Sequence, residues 1–273
     1  MRGSWLLATV RLIIYLPFTL VSICLQCLLL VFKSKKAKTF PQFYHRLCAY
    51  LWGIDVTVRG RMSEKRPVLF VCNHSSYLDI TILGSVLPAS FVSKAEVAKW
   101  PLLGVLAKLS QSIFIERTRS KAKGHVSQLQ KRLEAHDSLI FFPEGTSNDG
   151  NRTLEFKSSL FNVAETKVEG QSLLIQPVSI AYKTVNGIPM GFHLRPAYAW
   201  YGDMTLADHL FNCLGMGRLG AEVYLHPPVT IDQFKSRKEL AKHCQQVVAT
   251  GVGQSLSGKS AAPAPAPKMA IAA

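Results

Sequence analysis

The 273-residue sequence is short of acidic residues: 17 Asp and Glu stand against 32 Lys and Arg, for a formal net charge of +15. That balance excludes an acidic disordered chain, and a 48% hydrophobic fraction excludes disorder over most of the length. No repeat or low-complexity pattern dominates, which excludes collagen-like and solenoid architectures. Cysteine is sparse, at six. Cys24 and Cys27 form a CxxC, but inside an apolar stretch, with no second CxxC and no thioredoxin-like unit. They read as two small buried thiols on one helix face. The other four have no ligand spacing, as expected of reduced thiols, and no metal site is expected. Charge itself is missing from one place: Leu12 to Phe32, 21 residues, carry none.

A mean hydropathy of +0.15 together with a large positive charge suits a basic protein held at an anionic surface, either nucleic acid or membrane. The position of the charge separates the two. Residues 1–66 hold 11 Lys and Arg against 2 acids, and residues 108–132 hold 7 against 1. The first window also contains the uncharged run, and no aromatic-basic recognition motif appears, so nucleic acid is not expected as a partner. As a helix the run spans roughly 32 Å, against a hydrocarbon core of about 30 Å. Lys33, Lys35, Lys36 and Lys38 follow it and only Arg2 and Arg11 precede or enter it, which predicts a cytoplasmic carboxyl-terminal side. The run is too long for a signal-peptide core and no A-x-A site follows. Pro17 is a potential kink. Residues 40–52 read as a second, amphipathic segment at the interface, with Tyr44, Tyr50 and Trp52 at headgroup depth. One spanning helix and a hairpin dipping into one leaflet both fit.

Beyond residue 52 strands and helices alternate. Period-two or continuous apolar runs predict strands at 54–59, 67–72, 112–116, 138–143, 173–182 and 221–226. Helical stretches are expected near 76–86, 120–136, 157–166, 204–214 and 236–250, the last opened by Ser236 and Glu239 as a capping box. This is an α/β pattern, with a largely parallel or mixed central sheet flanked by helices. The expected division is an anchor and interfacial helix at 1–52, one catalytic domain at 53–250, and a disordered Ala/Pro-rich tail at 251–273. Residues 253–260 match a phosphate-binding loop pattern, but a helix precedes them and Ala-Pro repeats follow, so the match reads as accidental.

Four elements carry chemistry. The strand at 67–72 runs into Asn73-His74-Ser75-Ser76-Tyr77-Leu78-Asp79. On one continuous helix His74 and Asp79 would lie about 140° apart. They meet only if His74 occupies the turn before the helix, with Ser75 or Ser76 as its N-cap. A carboxylate that fixes the imidazole tautomer makes the other nitrogen a general base; a capping histidine beside a dipole-complementing aspartate fits the same residues. The second element is Phe141-Phe142-Pro143-Glu144-Gly145-Thr146-Ser147, again at a strand end, where Gly145 permits close backbone approach. The third is Ile113-Phe114-Ile115-Glu116-Arg117. The fourth is Leu174-Ile175-Gln176-Pro177-Val178, where proline implies an edge strand or a bulge. Singly, each also fits an ordinary turn or surface pair.

Together, in this order and spacing, these elements resemble the glycerolipid acyltransferase family that contains the lysophosphatidate acyltransferases; the resemblance covers roughly residues 50–230. It implies an O-acyltransferase of phospholipid biosynthesis. His74 would be the general base that deprotonates an acceptor hydroxyl, and Asp79 its orienting partner. The alkoxide would attack the thioester of acyl-CoA or acyl-carrier protein without a covalent enzyme intermediate or a cofactor. Arg117, Glu144 and Gly145 would bind the acceptor head, supported by Thr146. Lys157 matches a basic position near the acceptor phosphate, and the fourth element would line the acyl tunnel. The bilayer, a lysolipid acceptor and the acyl donor are the implied partners, with the enzyme on the cytoplasmic face of the inner membrane. The basic stretch 117–132 reads either as an attractor of anionic lipid or donor, or as a solvated helix face.

The sequence departs from the family pattern at three positions. Ser147 stands where an arginine commonly follows F-P-E-G-T, Gln111 where glycine precedes I-F-I, and Ser159 where glycine is usual. Loss of the arginine removes a bidentate phosphate partner, which Arg152 would have to replace unless the acceptor carries no phosphate monoester. Glu144–Arg152 and Ala199–Asp203 look like a proteobacterial branch that includes lyso-ornithine-lipid acyltransferases. Lysophosphatidate, giving phosphatidate, is the favoured acceptor. Lyso-ornithine lipid and other lysophospholipids are the alternatives, and a catalytically silent membrane-tethered binding protein is the reading from outside the class.

Overall fold

A computed structural model describes residues 3–65, 67–116 and 122–258. The chain opens with α1 (Trp5–Val31), whose N-cap Ser4 accepts a hydrogen bond from Leu7 N–H. Pro17 lies inside α1 without ending it. The helix is inside out by soluble standards. Its buried face is Ala8, Tyr15, Thr19, Ser22 and Gln26, spaced three, four or seven apart, while Leu6, Ile13, Leu20, Val21, Leu28 and Val31 are exposed. Cys24 and Cys27 lie on that exposed side, not on a buried face. Polar groups dock the helix from end to end. Gly3 N–H donates to Asn212 Oδ1 (2.7 Å) and Arg11 to the carbonyl of Leu214 (2.7 Å). Gln26 Nε2 donates to the carbonyls of Ala37 and Leu109 (2.9 Å each).

The expected amphipathic segment is α2 (Phe40–Trp52), which carries a proline in its first turn and stops at Gly53 in the left-handed region. Of the three aromatic residues expected at headgroup depth only Tyr50 faces outward; Tyr44 and Trp52 turn inward onto α1, where the Tyr15 ring packs edge-on against Trp52 and its hydroxyl hydrogen-bonds that of Tyr44. Then follow β1 (Ile54–Gly60), β2 (Val68–Cys72), α3 (Leu78–Val86), β3 (Ser90–Lys94), α4 (Leu103–Leu109), β4 (Ile113–Ile115), α5 (Ala122–Glu134) and β5 (Leu139–Phe141). After a 3-10 segment at Ser158–Glu165, where an α-helix was expected, come the short pair β6 (Lys167–Val168) and β7 (Gln171–Ser172), the long β8 (Leu174–Val185) and β9 (Ile188–Pro189). The chain closes with α6 (Leu206–Gly215), β10 (Leu219–Leu225) and α7 (Arg237–Ser257).

The main sheet has the order β1-β10-β8-β2-β5-β3-β4, parallel except where β10 meets β8, with β9 paired antiparallel to β8. This is the α/β fold with a mainly parallel sheet that the sequence pattern predicts. β2 shows why its run is continuous rather than alternating. Phe70 and Cys72 enter one core with Ile82, Ile140 and Val178, and Leu69 and Val71 enter the other with Leu139, Ile175 and Leu240. Because β2 and β5 are parallel neighbours, their carboxyl ends deliver residues 73–77 and 142–148 to the same edge of the sheet.

Two expectations change here. Pro177 is in an internal strand, not at an edge. Its carbonyl accepts from His226 N–H, and the N–H it lacks is replaced by Gln176 Nε2, which donates to the His226 carbonyl at 2.9 Å. The last helix also continues past the expected end at 250. Gly251, Val252 and Ser255 are buried in α7, which closes on Gly258 in the left-handed region. Gly253–Ser257, the first part of the phosphate-loop pattern, is therefore helical, so the tail expected at 251–273 begins as helix; its remainder, 259–273, lies outside the described residues.

Candidate active site

His74 and Asp79 meet as the spacing requires. His74 sits in the turn after β2 and Asp79 in the first turn of α3, and His74 Nδ1 lies 2.8 Å from Asp79 Oδ2. The expected serine cap is present only as a long bond, Leu78 N–H to Ser76 Oγ at 3.4 Å, and the shorter bonds run the other way. Tyr77 is the N-cap position and makes no side-chain cap bond, while Asp79 Oδ2 accepts from Ser75 N–H (2.7 Å) and Ser76 N–H (3.0 Å). Asp79 Oδ1 accepts from Tyr182 Oη at 2.6 Å. Asp79 is fully buried, and each of these neighbours presents a hydrogen to its carboxylate. Nδ1 of His74 must then carry its proton toward Asp79, which leaves the lone pair on Nε2. The ring stacks on Phe142 at 4.1 Å with 18° between planes, which fixes its plane. Among the described residues no hydroxyl or thiol is hydrogen-bonded to Nε2, so the arrangement offers a base without an enzyme nucleophile.

Glu144 lies behind this pair. It is buried; Oε1 accepts from His74 N–H (3.2 Å) and Oε2 from Asn148 Nδ2 (2.8 Å). Asn148 also donates to the His74 carbonyl from both its backbone (3.2 Å) and its side chain (3.1 Å). Glu144 is thus a brace between the two loops, its oxygens already engaged, rather than an open ligand for an acceptor head. Burial pushes its carboxyl up to about 7, against the pull of the Asn148, His74 and Leu154 donors and with a smaller push from Asp79. Gly145 takes φ +76, the left-handed value the turn demands, and donates to the Phe142 carbonyl at 3.1 Å.

A cavity of about 400 Å³ opens in front of His74. Gly145 and Thr146 line it on the loop side, and Tyr15, Cys48, Trp52, Val97, Leu106 and Ile115 give it a mainly apolar wall. The inverted helix α1 and its partner α2 therefore build part of the site. None of Leu174–Val178 lines this cavity; that element lies within the sheet, and the cavity wall comes from α1, α2 and the β3–α4 region. Arg152 and Lys157 are exposed, lie outside the lining and make no side-chain bond among the described residues. Arg117 lies outside the described residues. Ser147, in the place of the expected arginine, donates to the Trp200 carbonyl at 2.5 Å.

Sequence reasoning missed Tyr182, Asn148 and Asn73. Asn73 pairs with the backbone of Ile180 in both directions (2.9 and 2.8 Å), fastening the loop to β8. Asn73 did carry a signal, a polar residue directly at a strand end, and Asn148 lies in the loop that follows β5. Tyr182 carried none beyond sharing a face of β8 with Val178 and Ile180.

The acyltransferase family model matches residues 54–181. The chain is 36% identical over 261 residues to a lyso-ornithine lipid O-acyltransferase of Rhizobium meliloti, covering 93% of this chain and 89% of that protein. A lyso-ornithine lipid O-acyltransferase of Rhodobacter capsulatus is 40% identical over 210 residues, covering 77% and 74%. A 1-acyl-sn-glycerol-3-phosphate acyltransferase of Neisseria gonorrhoeae is 29% identical over 174 residues, covering 63% of each chain. Among solved structures, the 1-acyl-sn-glycerophosphate acyltransferase PlsC of Thermotoga maritima shares the fold. Its TM-score is 0.59 at 23% identity, over 93% of this chain and all of that one.

Proposed function

The chain belongs to the acyltransferase family and is an acyltransferase of lysolipids, and from that premise we propose that its acceptor is a lyso-ornithine lipid. The observation that carries the reaction is the His74–Asp79 pair, with a free Nε2 at the mouth of an apolar cavity. Nε2 takes the proton of the acceptor hydroxyl, and the oxygen attacks the thioester carbonyl of acyl-CoA or acyl-carrier protein. The tetrahedral intermediate collapses to the ester, and the departing thiolate takes up the proton held on His74. Asp79 holds the tautomer and stabilises the imidazolium, and the reaction draws on no metal or cofactor. The acyl chain occupies the cavity between α1, α2 and α4. Gly145 and Thr146 lie beside the reacting atoms, the exposed Arg152 and Lys157 are left as peripheral contacts for anionic groups, and Arg117 keeps its expected role as an acceptor contact.

The choice of acceptor moves away from lysophosphatidate for two reasons. Ser147 supplies no cation where a phosphate partner was expected, and its hydroxyl is already spent on a backbone carbonyl. The relatives that align with most of this chain carry the lyso-ornithine name, whereas the glycerophosphate enzyme aligns at lower identity over less of it.

Residues 1–52 form the lipid-facing part and residues 53–258 the catalytic domain. The docking of α1 along the domain, apolar side outward, supports a hairpin in one leaflet, and Lys33, Lys35 and Lys36 beyond its end support the cytoplasmic face of the inner membrane. A panel of labelled acyl-CoA and acyl-carrier protein tests the reading, each offered with lyso-ornithine lipid, lysophosphatidate and lysophosphatidylcholine. Fastest turnover of lyso-ornithine lipid is expected. Faster turnover of lysophosphatidate restores the first-favoured acceptor, and no turnover of any lipid leaves a silent binding protein.

A further inference from the structure

Ser147 and Trp200 assemble a subsite that the reaction itself does not require. Ser147 Oγ donates to the Trp200 carbonyl (2.5 Å), and Trp200 N–H donates to the carbonyl of Ser75 (2.9 Å), the residue after His74. Trp200 is therefore stitched to both loops that form the active site. It lines the cavity with His74. Its Nε1 is spent on the Met204 carbonyl (3.0 Å), so the ring is what it has left to offer a ligand. Two further cavity residues pack on it. Trp100 has its ring centroid 5.9 Å away at 83°, and Tyr77 is 6.0 Å away at 66°, with its hydroxyl spent on His209 Nδ1 (2.9 Å). Glu96 lines the same cavity and makes no ion pair among the described residues. Lys94 is the one Lys or Arg in the described lining.

Aromatic faces carry negative quadrupole charge, and in a cavity that also holds a carboxylate they attract an ammonium and disfavour a phosphate dianion. We propose that Trp200, held by Ser147 and packed by Trp100 and Tyr77, in a cavity that Glu96 also lines, is the head-group subsite and selects acceptors that carry an ammonium. This rests on the acceptor reading above: an ornithine acylated on its α-nitrogen keeps the side-chain ammonium. Trp200 is the specificity-determining residue, and Ser147 is a positioning residue that acts through it.

The test compares two acceptors that differ in one charge, lyso-ornithine lipid and the same lipid acetylated on its side-chain amine, with the full-length enzyme in mixed micelles and labelled acyl donor. The wild type should favour the ammonium form by about 5- to 30-fold in kcat/KM, chiefly through KM. Trp200→Leu should reduce that ratio below about 3-fold, and Trp200→Phe should keep part of it. Ser147→Ala should raise KM for the ammonium form more than it lowers kcat, and Ser147→Thr should restore it. If Trp200→Leu does not fold, Trp100→Leu and Trp200→Phe are read by the same ratio. A wild type indifferent to the charge, or a Trp200→Leu enzyme with the full preference, overturns the subsite and leaves the acceptor reading standing. A wild type that acylates lysophosphatidate and neither ornithine lipid overturns both.

Discussion

Tyr182 reaches Asp79 from 103 residues further along the chain, and with it the buried carboxylate has a partner on each oxygen. The H-x4-D spacing made the histidine and aspartate legible because both lie in one turn. No local pattern encodes a tyrosine delivered by β8, which pairs beside β2 in the sheet but is remote in sequence. Tyr182→Phe leaves Asp79 Oδ1 unpartnered in the interior, which costs about 1–3 kcal/mol. If that cost falls on the charged imidazolium–carboxylate state, kcat drops roughly 10-fold with KM little changed, as steady-state kinetics would show. Glu144 gives a second prediction. Its carboxyl is raised from 4.5 to about 7 by burial, so its contribution to stability is complete below pH 4.5 and is lost as pH rises through 7. The loss is on the order of 3 kcal/mol. Thermal unfolding of wild type and Glu144→Gln at pH 5 and pH 8 should show the variant gaining on the wild type at the higher pH; an unchanged Tm difference contradicts this.

At the scale of elements, the strands and helices that pack hydrophobic faces were legible from their periods, and the exceptions have physical causes. β3 and α4 are five and seven residues long, too short to establish a period against their polar neighbours. The end of α7 was hidden by glycines that read as tail. A Cβ at Gly251 would lie 2.3 Å from Ser179 Oγ and 2.6 Å from His226 Nε2, so that glycine permits helix and sheet to touch rather than breaking the helix. Gln111 is the reverse case. It occupies the left-handed region at φ +56, where the family resemblance led to an expectation of glycine, and its carbonyl accepts from Arg132 at 3.0 Å. A left-handed non-glycine residue costs roughly 1–2 kcal/mol, of which glycine's extra chain entropy returns about half. Gln111→Gly should therefore raise Tm by about 2 °C in a thermal melt, with activity retained.

Across the whole molecule, the charge excess resolves unevenly. Lys33, Lys35 and Lys36 remain exposed beyond the apolar face of α1, while Lys38 and Arg132 are tied to Asp137 at 2.8 and 2.7 Å and serve the fold. The sequence showed the apolar run and its basic collar. It did not show that the run's few polar residues face the protein, because an inside-out helix is defined by what it docks against. That docking makes α1 and α2 a wall of the cavity, so the apolar amino-terminal helices are continuous with the part that carries His74. The central claim is that one imidazole in this frame drives acyl transfer at a lipid surface. It is tested most directly with His74→Ala in anionic vesicles, measuring vesicle binding and labelled-acyl transfer in the same sample. Transfer should fall by at least about 100-fold with binding unchanged. Transfer at the wild-type rate would contradict the account.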